Sequence, residues 1–362
     1  MICRRMDFGF TDEQNLLREQ VLRFMTDACP LSVVRAQNGG LPRELWQQAA
    51  DLGWLALIVP EAHGGIGLKW VDLAVVLEES GRGLSPLPLV SQALAATAIG
   101  RCAGDDAKSE WLPKIAAGDA VFGVGLYDDA TWIDAEGIRL SGGATLTGTK
   151  PFVSDATVAT HLLLATRTGR ELRLAIVDAE DATVTAQASI DRTKPFGSTT
   201  LDGIEPLAMF PISTDDLAYL TDCGAVAVTL EGIGAAEAVL ALTTDYAKNR
   251  IQFDNPIGKY QGVKHRLADM FVDIESFKSL AYCATWAIDN APDELPRAAS
   301  LAKAYASDAF ARIGIDGVGL HGAIGFTAEY DAQLYLKRSK WLRSAFGDAD
   351  YHYQRAASLG GL

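Results

Sequence analysis

Apolar residues recur at helical spacing between polar ones over the first third of the chain. The segment TDEQNLLREQVLRFM begins with Thr11, a residue type that caps helix N-termini. Apolar positions then follow at one-turn intervals: Leu16, Leu17, Val21, Leu22 and Phe24. Further amphipathic segments continue to DDAKSEWLPKIAAG at 105–118. The pattern predicts an N-terminal helical domain over residues 1–118.

The pattern changes twice later in the chain. Between residues 119 and 215, short β-rich runs such as AVFGVGL, THLLLATR and ELRLAIVD alternate with turn residues, which is typical of an antiparallel barrel or sandwich. From residue 216 onward, long amphipathic stretches return and predict a helical bundle. The expected fold is therefore α+β and multidomain, with a helical domain (1–118), a central antiparallel β domain (119–215) and a C-terminal bundle (216–362).

Composition and charge narrow the classes of function. Among 362 residues, 46 are acidic and 32 basic, which leaves a net charge of −14. This charge argues against a nucleic-acid partner or an anionic membrane surface. The sequence contains no uncharged apolar run of about eighteen residues, so it predicts no membrane-spanning helix. The five cysteines form no CxxC pair, and no His, Cys and Glu residues have metal-ligand spacing. We therefore expect a cytoplasmic protein with reduced thiols and no metal site.

Four phrases follow one another in a specific order. They are GWLALIVPEAHGGIGL at 53–68, LTGTKPFVSDA at 146–156, NRIQFDNPIGKYQGVKHRLADM at 249–270 and LHGAIGFTAEY at 320–330. Together they resemble the acyl-CoA dehydrogenase family of flavoproteins over nearly the whole chain. The resemblance implies a helical domain, a β domain and a four-helix bundle, with FAD at a subunit interface. It also implies oxidation of an acyl-CoA thioester: a carboxylate removes the α-proton, and the flavin accepts the β-hydrogen as hydride.

The resemblance implies cofactor contacts in the second and third phrases. The family's RxxF motif, which contacts the FAD of the neighbouring subunit, corresponds here to Arg250, Gln252 and Phe253, whereas Asp254 stands where glycine is usual. An Arg at this position also fits a purely structural role, in which it complements the dipole at the C-terminus of a helix.

The strand phrase corresponds to the family segment that lies against the flavin ring. Its flavin-facing part would be Phe152, Val153 and Ser154, and the alternative is an ordinary strand with a core Phe.

The fourth phrase resembles a glycine-bearing loop that lets backbone approach the adenosine side of FAD. His321, Gly322 and Gly325 are retained, but Gly319 replaces a glutamine and Ala323 replaces a glycine. Because an added Cβ blocks close approach, this half of the FAD site is weakened, and a simple connecting turn is the alternative.

One further cofactor contact is expected at the start of the next helix. Gln261 is a candidate for binding FAD, and His265 follows it at i+4. The alternative interpretation makes the two residues a buried, hydrogen-bonded pair at a subunit interface.

The family's catalytic glutamate is missing from both places where the family carries it. Phe346 stands at the late position, and Gly224 stands at the early position. Neither side chain can abstract a proton. Asp348 and Asp222 are the remaining candidates for a displaced base, and we assign no catalytic residue in this chain. The segment GVGLYDDATW also replaces the family's Thr-Glu-Pro loop, which normally helps to bind flavin and thioester.

These losses resemble heteromeric members of the family that act in bacterial steroid degradation. The resemblance implies a FAD-dependent subunit whose homologous partner supplies the base, with an acyl-CoA substrate and an electron-transfer flavoprotein as electron acceptor. Two alternatives stay open: a self-sufficient homo-oligomer with a displaced Asp base, and a flavin-free binding or scaffold protein.

Overall fold

A computed structural model of the chain describes residues 9–37, 39–128 and 135–361. Six helices come first: α1 (Asp12–Ala28), α2 (Leu31–Ala36), α3 (Arg43–Asp51), α4 (Trp70–Arg82), α5 (Leu89–Cys102) and α6 (Asp105–Ala117). Five helices come last: α7 (Thr214–Asn249), α8 (Gln261–Asn290), α9 (Leu295–His321), α10 (Ala332–Ser344) and α11 (Ala349–Leu359). All strands but two short ones lie between the sets, so the expected order of helical, β and helical regions is confirmed.

Eight strands form the central sheet. They are β1 (Phe122–Gly125), β2 (Ser141–Gly142), β3 (Leu146–Ser154), β4 (His161–Thr168), β5 (Glu171–Asp178), β6 (Thr183–Ala186), β7 (Phe196–Ile204) and β8 (Ala208–Ile212). The order across the sheet is β6-β7-β3-β1-β4-β5-β8, with β2 beside β3 and β4. Most neighbours are antiparallel, as expected, but β1 runs parallel to β4 with Phe122 opposite His161. One face of the sheet buries a core of Leu, Val and Ala side chains that includes Leu146, Leu164 and Val177.

The sequence predicts where α1 begins, but it does not predict which of the apolar side chains of α1 are exposed. Thr11 accepts a hydrogen bond from the backbone N–H of Gln14 (3.2 Å), and the Gln14 side chain accepts one from the N–H of Thr11 (3.1 Å). This reciprocal capping box satisfies two backbone donors. Val21 and Met25 are buried, but Leu16 is 68% exposed. The apolar stripe is therefore wider than the surface that covers it.

The chain divides into two compact units. The first comprises Met1–Arg35, Ala74–Ser85 and Ala225–Leu362, and the second comprises Ala36–Leu73 and Pro86–Gly224. Among the described helices, α7 alone is long and apolar enough to cross a membrane, and 72% of its most apolar window is buried within the protein, as in a core helix.

Two glycines let α4 and α7 approach closely in the first unit. A Cβ on Gly81 would lie 2.0 Å from the carbonyl oxygen of Glu231, and a Cβ on Gly234 would lie 1.8 Å from that of Glu78. Both distances are shorter than any tolerated contact. The two helices therefore pack backbone to backbone at this crossing, and neither position has room for a side chain.

Candidate functional site

A bulge in β3 determines how the strand phrase presents its side chains. The pairing of β3 with β7 shifts register between Lys150 and Val153. Such bulges re-aim side chains and are frequent beside active sites. Phe152 is 46% exposed, whereas Val153 is fully buried. Ser154 is half-buried, pairs with Val124 of β1 and shares the face of Phe152. The strand thus offers Phe152 and Ser154 to a ligand and keeps Val153 in the core.

The RxxF motif forms a projecting hairpin. Strands β9 (Ile251–Gln252) and β10 (Asn255–Pro256) pair around Phe253 and Asp254. These two residues have φ of 52° and 60°, the left-handed backbone of a two-residue type I′ turn. Asp tolerates this conformation better than most residues, which explains why glycine is dispensable at position 254.

The side chains of this hairpin point to solvent. Phe253 is 84% exposed, and its contact is an edge-on one with Tyr260 at 6.4 Å between ring centroids. Tyr260 also donates a hydrogen bond to the carbonyl oxygen of Gln252 (3.2 Å). Arg250 is exposed, and its guanidinium forms no ion pair within the described ranges. The structure therefore brings Arg250, Gln252 and Phe253 together on one exposed arm.

Gln261 is the first residue of α8, and His265 lies one turn further along the helix. Both side chains are exposed in the single chain. A buried pair is therefore not formed within the chain itself, and Gln261 remains accessible to a ligand.

The glycine-bearing loop has open space beside one glycine and close intramolecular contacts at another. Gly322 has φ 66° and ψ −143°, a region essentially restricted to glycine, and a Cβ there would meet no atom within 4 Å. By contrast, a Cβ on Gly325 would lie 2.6 Å from the carbonyl oxygen of Val318. Gly325 is thus required by intramolecular packing, whereas Gly322 leaves open space beside the backbone.

His321 faces the interior of the first unit. Its ring lies between Tyr246 (4.4 Å) and Tyr330 (4.8 Å), and Nδ1 is 2.6 Å from the carbonyl oxygen of Gly317. Burial lowers the pKa of His321. The imidazole therefore anchors the end of α9.

The turn that carries Phe346 is held by two buried side chains. Phe346 has φ 54°, which is uncommon for a non-glycine residue. Nε2 of His352 lies 2.8 Å from the Phe346 carbonyl oxygen. Lys303 donates hydrogen bonds from Nζ to the Gly347 carbonyl oxygen (2.7 Å) and to Ser307 Oγ (2.9 Å). Burial lowers the pKa of Lys303 to about 7 and that of His352 to about 3.

Neither remaining candidate for a base resembles a free carboxylate in a cleft. Asp348 is exposed, and its Oδ1 accepts a hydrogen bond from the backbone N–H of Tyr351 (2.9 Å), which caps α11. Asp222 is 1% exposed within α7.

Lys303 and His352 could not be identified from the sequence, because helix packing, and not a sequence motif, brings them to the turn at Phe346. The one available signal was a lone Lys in an otherwise Ala-rich segment. Part of the segment GVGLYDDATW that replaces the expected loop, residues 129–132, lies outside the described residues.

These features can be tested against FAD, the cofactor that the resemblance implies. An exposed aromatic on a bulged strand can flank a flavin ring, an unpaired guanidinium can bind a diphosphate, and the open backbone at Gly322 leaves room for a ligand. Taken one by one, these groups are chemically suited to parts of FAD. The order of helical, β and helical regions is the arrangement expected for the acyl-CoA dehydrogenase class of flavoproteins.

Comparison with known proteins agrees with this class. The chain matches the profile "Acyl-CoA dehydrogenase, N-terminal domain" over residues 11–119 and "Acyl-CoA dehydrogenase, C-terminal domain" over residues 219–358. The acyl-CoA dehydrogenase IpdE2 of Mycobacterium tuberculosis is 31% identical over 91% of both chains. The chain therefore belongs to the acyl-CoA dehydrogenase family, an FAD-dependent family, and FAD is its cofactor.

Two solved structures are also similar. The ChsE4-ChsE5 complex from Mycobacterium tuberculosis matches with 27% identity and a TM-score of 0.90, covering 98% of this chain and 99% of that one. A variant of the Tcur3481-Tcur3483 steroid ACAD matches with 27% identity and a TM-score of 0.87, covering 97% and 98%.

Proposed function

We propose that this chain is the base-lacking subunit of a heteromeric, FAD-dependent acyl-CoA dehydrogenase. A homologous partner subunit would supply the carboxylate that removes the α-proton of the thioester. The observation that carries the proposal is the pair Phe346 and Gly224, which occupy both family positions of the base in an otherwise intact fold. Neither has a group that can accept a proton.

The neighbouring carboxylates do not replace the missing base well. A general base must lie within hydrogen-bonding reach of the proton, about 3 Å. Asp348 is two residues beyond Phe346, and its carboxylate already caps α11. Asp222 is enclosed within α7. To reach a substrate, Asp348 would have to give up its helix cap, and Asp222 would have to leave its buried environment.

The chain's contribution to the composite site comes from its flavin-binding residues. The exposed arm formed by Arg250, Gln252 and Phe253 would reach the FAD of the partner, with the guanidinium binding the diphosphate. Gln261 and the open backbone at Gly322 would contact the adenosine side, and His321 and Gly325 would support this loop through its internal packing. Phe152 and Ser154 would form the wall beside the flavin ring, with Val153 buried behind them in the core. When bound, FAD would supply the hydride-accepting chemistry for the β-hydrogen of the thioester.

The relatives support a heteromeric assembly and a bulky substrate. Two similar structures are named as pairs of different chains, and one is described as a steroid ACAD. We therefore propose a steroid-derived acyl-CoA as the substrate class and an electron-transfer flavoprotein as the acceptor. The four cysteines within the described ranges are free thiols, which supports a reducing, cytoplasmic location.

The proposal is tested by assaying dehydrogenation of steroid-derived acyl-CoA thioesters with the chain alone, with its homologous partner, and with a partner whose catalytic Glu is replaced by Gln. We expect activity only in the intact pair and its loss in the Glu-to-Gln complex. Full activity of the single chain would instead support a self-sufficient enzyme. A complex without flavin or activity would support a scaffold.

A further inference from the structure

The bulged segment of β3 is held at its first end by a buried ion pair. Lys150 is fully buried, and its Nζ lies 2.7 Å from Oδ1 of Asp128, whose side chain is 3% exposed. Nζ also donates a hydrogen bond of 2.5 Å to the carbonyl oxygen of Ala165 in β4. Burial lowers the pKa of Lys150 to about 8, opposed by the Asp128 carboxylate. The two charges therefore attract in a medium with little solvent screening.

The other carboxylate oxygen of Asp128 accepts hydrogen bonds from the backbone. Oδ2 accepts hydrogen bonds from the backbone N–H groups of Leu140 (2.8 Å) and Arg139. One carboxylate thus joins residue 128 to the chain entering β2 and, through Lys150, to β3. Asp128 lies in the segment that departs from the family's Thr-Glu-Pro pattern. The side chain is therefore placed to connect the altered loop to the bulged strand.

The far end of the segment is held by a second buried contact. Ser91 of α5 donates a hydrogen bond of 2.5 Å to Oδ2 of Asp155, which is 7% exposed. Asp155 has φ 58°, in the left-handed region that few non-glycine residues adopt. Its N–H donates to the carbonyl oxygen of Pro195 (2.9 Å). Strained residues of this kind persist where surrounding contacts over-determine them.

We propose that Asp128 and Ser91 are positioning residues. Acting through Lys150 and Asp155, they hold the bulged segment 151–154 at both ends, so that Phe152 and Ser154 keep one orientation toward the flavin ring. This inference rests on the proposed function, since it assigns the segment to flavin binding. Neither residue contacts the ligand itself. Displacing a reacting group by about 1 Å can lower a rate about 100-fold, so a loosened segment has a measurable cost.

The test uses the complex with its homologous partner and two isosteric or truncating variants, Asp128→Asn and Ser91→Ala. Visible absorption of bound flavin, the FAD dissociation constant, kcat and KM are measured for each. We expect a changed flavin spectrum, weaker FAD binding and a kcat lowered about 100-fold, with KM nearly unchanged. Ile176→Ala in β5 is the matched control, because it removes a fully buried side chain elsewhere in the same sheet. It should lower thermal stability and leave the flavin spectrum intact.

A second variant keeps the test valid if Asp128→Asn fails to fold. An unpaired buried charge is strongly destabilising, whereas neutralising both partners is often tolerated. Asp128→Asn combined with Lys150→Met should therefore recover stability but keep the low kcat and altered spectrum. Wild-type spectra and FAD affinity in the double variant and in Ser91→Ala would overturn the inference. A wild-type complex that binds no flavin would instead contradict the proposed function.

Discussion

Nε2 of His352 lies 2.8 Å from the carbonyl oxygen of Phe346, the residue that we propose stands in place of a catalytic glutamate. Lys303 binds the next carbonyl, that of Gly347, at 2.7 Å. A Cβ on Gly347 would lie 2.8 Å from the His352 ring, so the turn is closely packed as well as hydrogen-bonded. The turn that carries Phe346 is therefore fixed by buried side chains, although Phe346 itself has no group that can accept a proton.

The His352 contact predicts a specific dependence of stability on pH. Burial lowers the pKa of His352 to about 3, whereas an unfolded His titrates near its ordinary value of about 6.5. As the pH falls from about 6.5 to 3, the unfolded state binds a proton that the folded state does not. The free energy of unfolding should then fall by up to about 1.4 kcal/mol per pH unit from this group.

Replacing His352 by Gln tests this dependence. The Gln amide can still donate toward Phe346 but cannot titrate, so the difference in unfolding free energy between the two proteins should shrink as the pH falls. Urea unfolding at several pH values measures it. His265→Gln is the control, because His265 is exposed, and it should retain the wild-type slope. Parallel curves for wild type and His352→Gln would refute the prediction.

The crossing of α4 and α7 predicts a large effect from one methyl group. Gly234→Ala places a Cβ 1.8 Å from the carbonyl oxygen of Glu78, so the helices must separate, and we expect a loss of several kcal/mol or a failure to fold. Gly100→Ala in α5 is the matched control, since a Cβ there meets nothing within 4 Å. It should be neutral or stabilising by up to about 1 kcal/mol. Thermal unfolding distinguishes the two, and similar melting temperatures for both variants would contradict the packing described.

Features set by local chemistry were predictable, and those set by packing were not. The helix start at Thr11 follows from a capping box four residues long, and the element order follows from periodicity. The assignment of Phe346 and Gly224 to the two base positions rests on spacing along the sequence and stays a prediction. By contrast, the glycine crossing at Gly81 and Gly234, and the contact of Lys303 with Gly347, join residues far apart in sequence. The hairpin at Phe253 also lacks the usual Asn-Gly signal.

The candidates for a displaced base give a third prediction. Asp348→Asn should change stability by less than about 1 kcal/mol, because Asn caps a helix about as well as Asp, and should leave kcat of the complex within twofold. Asp222→Asn should likewise retain catalysis, although its burial makes a stability loss expected. Steady-state assays of the complex check both. Loss of activity in either variant, with flavin and folding intact, would identify that residue as the base.

The exposed arm gives a fourth prediction. Phe253→Ala should leave the melting temperature of the isolated chain nearly unchanged, because the side chain is 84% exposed. It should nevertheless reduce the flavin content of the complex, since the proposed contact is made to FAD of the partner. Leu16→Ala, at 68% exposure, is the control and should leave flavin content unchanged. Equal flavin content in both variants would remove the arm from the cofactor site.

If this chain is half of a composite flavoenzyme, it should bind flavin only together with its partner. The most direct test is to purify the chain alone and co-expressed with the homologue encoded nearest to it, and to record flavin absorbance at about 450 nm for each. We expect full flavin occupancy only in the complex. Full occupancy in the chain alone, with acyl-CoA dehydrogenation by that sample, would contradict it.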